Sequence, residues 1–347
     1  MSEAVAAPRP GPQNAVPATP PRVPGSVRRT TSLDMTRPDG LRGRVVADVR
    51  GQDVRTRADG AAEVLERLAL TVEIDHTTGE VTAVADASGA GDDRAGDRTA
   101  DPTGDLAALV GVNVRSGFGR RLAELLPDEA ERRTLRYSAL DDLGGALLVS
   151  GYALLHAGAL PQSRPQAETV ARFQADVCSG WASGAPLLEA LRRTGISPLP
   201  LGPAAPAIEG DDPHGWHPMA ELAPTTVRRR RRLDVIADGA TVAARSHFRD
   251  SHAADDGETV MHEYEVAAHV GADGRLAGVD VAPRVLPWNE CPAAVGSAQR
   301  LVGVAVGEIP TRVRRELTGP STCTHLNSTL RCLADVRALA TAAAANF

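Results

Sequence analysis

The chain carries the same short segments twice, in the same order and at a nearly constant offset. Val27-Arg28-Arg29-Thr30-Thr31-Ser32-Leu33-Asp34 returns as Val227-Arg228-Arg229-Arg230-Arg231-Arg232-Leu233-Asp234. Thr78-Gly79-Glu80-Val81-Thr82-Ala83-Val84 is echoed by Asp273-Gly274-Arg275-Leu276-Ala277-Gly278-Val279. Val110-Gly111-Val112-Asn113-Val114 returns as Val302-Gly303-Val304-Ala305-Val306, and Thr134-Leu135-Arg136 as Thr329-Leu330-Arg331. A period this long implies duplicated domains, not a solenoid of short repeats. Where the second copy has Cys291 and Cys323-Thr324-His325, the first offers only Asp, Gly and Ala, so chemistry is expected in the second copy.

A chain of 347 residues can bury two cores. Residues 1–26, rich in Pro and Ala, read as a disordered tail. A degenerate first copy spans residues 27–153, a helical inter-repeat segment and linker 154–225, and the second copy 226–347. In the first copy, strands are expected at 41–49, 68–74 and 81–85, a flexible loop at 88–105, and helices at 118–126 and 129–143. The second copy predicts strands at 230–235, 241–248, 259–270 and 275–281, then helices at 292–302, 311–317 and 324–344. The fold class is therefore α+β: two tandem homologous domains, each an antiparallel sheet followed by helices.

The formal net charge is −6, which argues against a general nucleic-acid binder. There is no lysine, so every basic residue besides His is Arg. The run Arg228 to Arg232 reads as a solvated strand edge, alternate side chains facing opposite ways with Asp211-Asp212 available for pairing. No apolar stretch is long enough to span a bilayer, so no membrane partner is expected, while a protein partner stays open. The cysteines Cys178, Cys291, Cys323 and Cys332 are irregularly spaced and form no disulfide framework, which places the protein in the reducing cytoplasm.

Cys291 precedes Pro292, and Cys323 follows Ser321 and Thr322, so both thiols are expected at helix N-termini, where a thiolate is favoured. His325 shares the surroundings of Cys323, and His262 points toward the core or its rim from the strand at 259–270. Two Cys and two His make a tetrahedral zinc set. Cys178 and Cys332 read as packing residues, and Trp181 and Trp216 as anchors for the inter-repeat segment. His247, Asp250 and His252 fall where a solvated loop is expected after the second strand.

Arg231-Arg232-Leu233-Asp234-Val235, Met261-His262-Glu263, Cys291-Pro292, Leu301-Val302-Gly303-Val304 and above all Cys323-Thr324-His325-Leu326 resemble a bacterial family known as domain of unknown function 2889. The resemblance covers most of residues 226–345 and, more weakly, 27–145, and it implies no activity. The second copy is also distantly similar to iron–sulfur cluster assembly scaffolds. That similarity places ligands at His262, at Cys291 ahead of a helix of small residues, and at Cys323 with His325 ahead of Leu326. The scaffolds have a third Cys with a nearby Asp where this chain has His262-Glu263, and an adjacent His-Cys where it has Cys323-Thr324-His325. The resemblance implies a cytoplasmic metal- or metallocluster-binding protein, carrying zinc or iron, an iron–sulfur cluster included, on His262, Cys291, Cys323 and His325. Two other functions compete with it. One is a Cys-dependent hydrolase or acyl-thioester enzyme with Cys323 or Cys291 as nucleophile and His325 or His262 as base; the other is a non-catalytic interaction module.

Overall fold

In the computed structural model, which describes residues 7–87, 104–115, 117–159 and 164–344, the two Val-Arg-Arg segments lie side by side. They form β1 (Ser26–Thr36) and β5 (Val227–Asp238), paired antiparallel with Thr31 opposite Arg231. The register is symmetrical about that point, so Arg28 lies opposite Asp234 and Arg228 opposite Asp34. Each half adds three strands outward: β2 (Val45–Thr56), β3 (Ala62–Ile74) and β4 (Val81–Asp86) on one side, β6 (Thr241–Ala254), β7 (Gly257–Val270) and β8 (Leu276–Val285) on the other. The result is one antiparallel eight-stranded sheet in the order β4-β3-β2-β1-β5-β6-β7-β8. The expectation of a separate sheet for each copy is thereby corrected: a sheet-plus-helices pattern is visible in each half, but the strands are continuous. The physical reason is that β1 and β5 are buried on both faces and each needs a hydrogen-bonding neighbour on both edges.

Helices cover one face. In the first half a 3₁₀ turn at Gly104–Leu109 leads to α1 (Phe118–Leu125), α2 (Pro127–Arg132), α3 (Leu135–Leu140), α4 (Leu143–Ser150) and α5 (Tyr152–His156). Their apolar sides close over Leu33, Met35, Val72 and Ile74. The intervening segment supplies α6 (Arg164–Gln174) and α7 (Pro186–Thr194), packed on each other through Ala167, Ala171, Leu188 and Leu191. In the second half a 3₁₀ helix at Cys291–Leu301 precedes α8 (Ile309–Glu316), α9 (Thr324–Arg331) and α10 (Val336–Ala344), which bury Phe248, Tyr264, Leu326, Leu330 and Leu333. Residues 324–344, expected as one helix, are interrupted by a 3₁₀ turn at Cys332–Asp335. The expected loop at 88–105 lies mostly outside the described residues. Among the described residues no helix is long and apolar enough to cross a membrane.

The opposite face is covered by extended chain, not by helices. Residues 7–25, expected to be disordered, follow a fixed path there, because buried side chains on the sheet take up their backbone groups. Val16 N–H donates to Glu263 Oε2 at 2.7 Å, and the Val16 carbonyl accepts from Arg249 at 2.8 Å. Trp216 anchors the linker on this tail, its Nε1–H donating to Thr19 Oγ1 at 2.8 Å.

These two coverings explain the arginine run, which is no solvated edge. Arg228 to Arg232 are all buried at the centre of the sheet. Arg229 and Arg231 point to the helix side, where they meet Asp250 and Asp142. Arg228, Arg230 and Arg232 point to the other side, onto Asp34, Glu209 with Glu258, and Asp234. The reciprocal pairs Arg28–Asp234 at 2.5 Å and Arg228–Asp34 at 2.6 Å lie on either side of the symmetry point. The expected partners Asp211-Asp212 do not serve the run; Asp212 binds Arg22 instead, at 2.8 Å.

Candidate metal centre

One cross-strand row of the second half builds the site. Arg229 on β5 lies opposite Asp250 on β6, and Asp250 lies opposite His262 on β7. Arg229 grips Asp250 with a fork, Nε to Oδ1 at 2.8 Å and Nη2 to Oδ2 at 2.9 Å. A bulge directly after the Asp250–His262 pair lets Met261 turn into the first half's core. His325, in the first turn of α9, stacks on His262 with ring centroids 3.6 Å apart and planes 14° from parallel. Its Nε2 stands 3.6 Å from Asp250 Oδ2. One ligand atom each of Asp250, His262 and His325 lies within 4.8 Å of the others, and among the described residues no other three His, Cys, Asp or Glu side chains meet that spacing.

The electrostatics suit neutral imidazole ligands. Burial, assisted by Arg229, pulls His262 down to about 3. Burial together with His262 and Arg229 holds His325 well below the usual histidine range. His262 Nδ1 is buried without a hydrogen-bond partner, which in a native interior calls for an explanation. Asp250 is fully buried, and desolvation pushes its carboxyl upward against the pull of Arg229.

The thiols are arranged differently from the histidines. Cys323 is the N-cap of α9, and its Sγ lies 3.8 Å from His325 Nδ1, across the ring from Asp250. Cys291 opens its 3₁₀ helix with Pro292 behind it, but it stands outside the His–Asp set. Both occupy helix N-termini as expected, yet neither is driven to thiolate: burial raises Cys323 and Cys291 and outweighs the N–H groups around them. Cys332 is buried, its Sγ 3.4 Å from Ser246 Oγ.

Asp250 and Arg229 are the site residues that sequence reasoning missed. Asp250, His247 and His252 lie in β6 and are fully buried, where a solvated loop was expected. The strand runs past Phe248 because Glu263 meets both His247, at 2.8 Å, and Arg249, at 2.6 Å. The signal that could have found Asp250 was Asp53, the acid opposite the echoed Arg29. Arg29 forks onto Asp53 at 2.8 and 2.7 Å, Asp53 faces Glu66, and the same bulge follows. At the place of His262 the first half therefore has a carboxylate, Glu66. An open groove of about 690 Å³ lies beside Glu66, Glu129, Arg132 and Arg136, and none of the Cys or His candidates lines it.

Residues 227–339 match the model of a family described as a protein of unknown function, DUF2889. Asp250, His262, Cys291, Cys323 and His325 all fall inside the DUF2889 match, as does Arg229. Strands β1 to β4 and helices α1 to α7 lie outside it. No curated protein and no solved structure matches the chain.

Proposed function

We propose that the second half is a metal-binding domain whose ion is held by His262, His325 and Asp250. The observation that carries this reading is the convergence of these ligand atoms within 4.8 Å. Two neutral imidazoles and one carboxylate suit zinc or ferrous iron and leave coordination positions open. Cys323 then acts through His325: a hydrogen bond at Nδ1 fixes the tautomer that leaves Nε2 free for the ion. Because the rings are stacked, an ion at their common edge requires the two planes to open. The first half, with Glu66 in place of the imidazole, is a framework copy from the same duplication, kept for its share of the sheet. Free thiols fit a reducing cytoplasm.

A thiol–imidazole–carboxylate line, Cys323 to His325 to Asp250, also supports the nucleophile reading. It carries less weight, because Cys323 is 5% exposed and burial holds its thiol in the protonated form.

The test is cobalt or zinc loading of the full chain, followed by elemental analysis and the visible spectrum of bound Co²⁺. One ion per chain is expected, with affinity lowered more than about tenfold in His262→Ala and in His325→Ala. Cys291→Ser should bind as the parent does. Undiminished binding by the two histidine variants sinks the assignment.

A further inference from the structure

The linker between the halves docks on the second half as an added strand. β8 pairs with β7 only from Glu263 onward, so it leaves the outer edge of the first residues of β7 uncovered. The linker takes that edge. Val260 N–H donates to the Pro203 carbonyl at 2.9 Å, Ala205 N–H donates to the Glu258 carbonyl at 2.8 Å, and Ala204 bridges Thr259. Gly202 passes so close that a Cβ there would overlap the Val260 carbonyl oxygen. This edge therefore accepts a glycine followed by a proline. The glycine allows the close approach, and the proline keeps the chain extended while offering the carbonyl that Val260 needs.

The first half has the same edge without an occupant. The Asp53–Glu66 and Asp250–His262 pairs are each followed by a bulge, and beyond it Val54 faces Val64 as Ser251 faces Val260. Val64 is thus the counterpart of Val260, and Ala62 that of Glu258. β4 reaches β3 only from Leu70 onward. β2 takes the inner edge of residues 62–64, and among the described residues no backbone group bonds to their outer edge. Val260 is fully buried, whereas Val64 is half-exposed. An unpaired strand edge is a template for another extended chain. This one is short and ends in the bulge beside Leu65, which suits a short peptide and not a second long strand.

We propose that the outer edge of residues 62–64 in β3 docks an extended Gly-Pro segment of a partner protein by strand addition. Val64 N–H donates to the carbonyl of the partner's proline, and the Ala62 carbonyl accepts from the amide two residues further on, as Val260 and Glu258 do with the linker. The glycine ahead of the proline crosses the Val64 carbonyl. An antiparallel occupant runs at its N-terminal end toward Glu66, where the open groove of about 690 Å³ beside Glu66, Arg67 and Leu68 receives the residues before the glycine. The chain's own Gly202-Pro203 is already seated on β7 and is not the occupant. β3 lies outside the DUF2889 match, so capture of a partner belongs to the first half.

The experiment adds a synthetic peptide of the linker sequence, residues 199–207, to the isotope-labelled full chain and follows backbone amides by NMR. Saturable shifts at Val64 and its neighbours in β3 are expected, with the Val260 amide unmoved. The same peptide carrying Gly202→Val should bind at least about tenfold more weakly, because its new side chain meets the Val64 carbonyl. Val64→Pro in the protein deletes the donor on an edge where proline is tolerated. That variant should lose affinity for the unaltered peptide while keeping the parent's circular dichroism. Absence of saturable shifts, equal binding of the two peptides, or shifts at Val260 in place of Val64 overturns the proposal. Self-association of the free chain through β3 also overturns it, by making a second copy the occupant.

Discussion

At the scale of single residues, the chain keeps an unusual amount of charge and polarity in its interior, and each group is set by the side of the sheet it faces. His217 shows the cost. It is buried against Thr30 and Ser32, and burial, with Arg228, Arg50 and Arg230 nearby, lowers it to about 3. The folded state therefore keeps this ring neutral while the unfolded chain binds a proton below about pH 6.5. Stability attributable to His217 is full above that pH and falls as pH drops toward the folded value, by up to about 1.4 kcal/mol per unit. Urea unfolding between pH 7 and pH 5 checks it: His217→Asn should show a shallower loss of stability than the parent, and an equal slope would remove His217 from the account.

At the scale of elements, α4 and β5 are fitted to each other through a missing side chain. A Cβ on Gly145 would overlap the Arg229 guanidinium, whose Nη1 lies beneath the helix without a hydrogen bond. Gly145→Ala gains about 1 kcal/mol of helix propensity but meets an overpacking cost of about 1–3 kcal/mol. The change also disturbs the Arg229–Asp250 fork, so a net loss is expected as a lower urea midpoint; a higher one would show that Arg229 can move aside. Much at this scale was legible in advance. The strand segments of β6, β7 and β8 and the start of α9 at Thr324 were located, although the cap is Cys323 and not Ser321 or Thr322, which the sequence offered. Reading the arginines of β1 and β5 as buried was not possible from periodicity, because consecutive charges such as Arg28-Arg29 and Arg228 to Arg232 look solvent-facing. Their burial depends on acids distant in sequence, such as Asp34, Asp250 and Asp142. The candidate site was half legible for the same reason. His262 and His325 stood out as residues that the first half lacks, whereas Asp250 looked like loop chemistry until its strand neighbours were known.

At the scale of the whole molecule, the halves are held by β1 against β5 and by helices that reach across. Asp335, just ahead of α10, binds Arg29 of the first half at 3.2 Å, and Asp142, just ahead of α4, lies 3.9 Å from Arg229 of the second. Removing one partner from a buried pair of this kind costs about 3–5 kcal/mol, so neither half is a free-standing module in this arrangement. The symmetrical register adds a consequence about assembly. Arg228 and Asp234 lie on either side of Arg231, so a second β5 paired about that point would match these ends but set Arg231 against Arg231 and Arg230 against Arg232. β1 instead places Thr30, Thr31 and Ser32 opposite those arginines, so the register that joins the two halves keeps copies of the second half from joining each other. A fragment of residues 226–344 should therefore form no dimer across its β5 edge, and a concentration-dependent doubling of mass in sedimentation would refute this. In the full chain the β1–β5 contact is intramolecular, and its occupancy is freed from dependence on protein concentration.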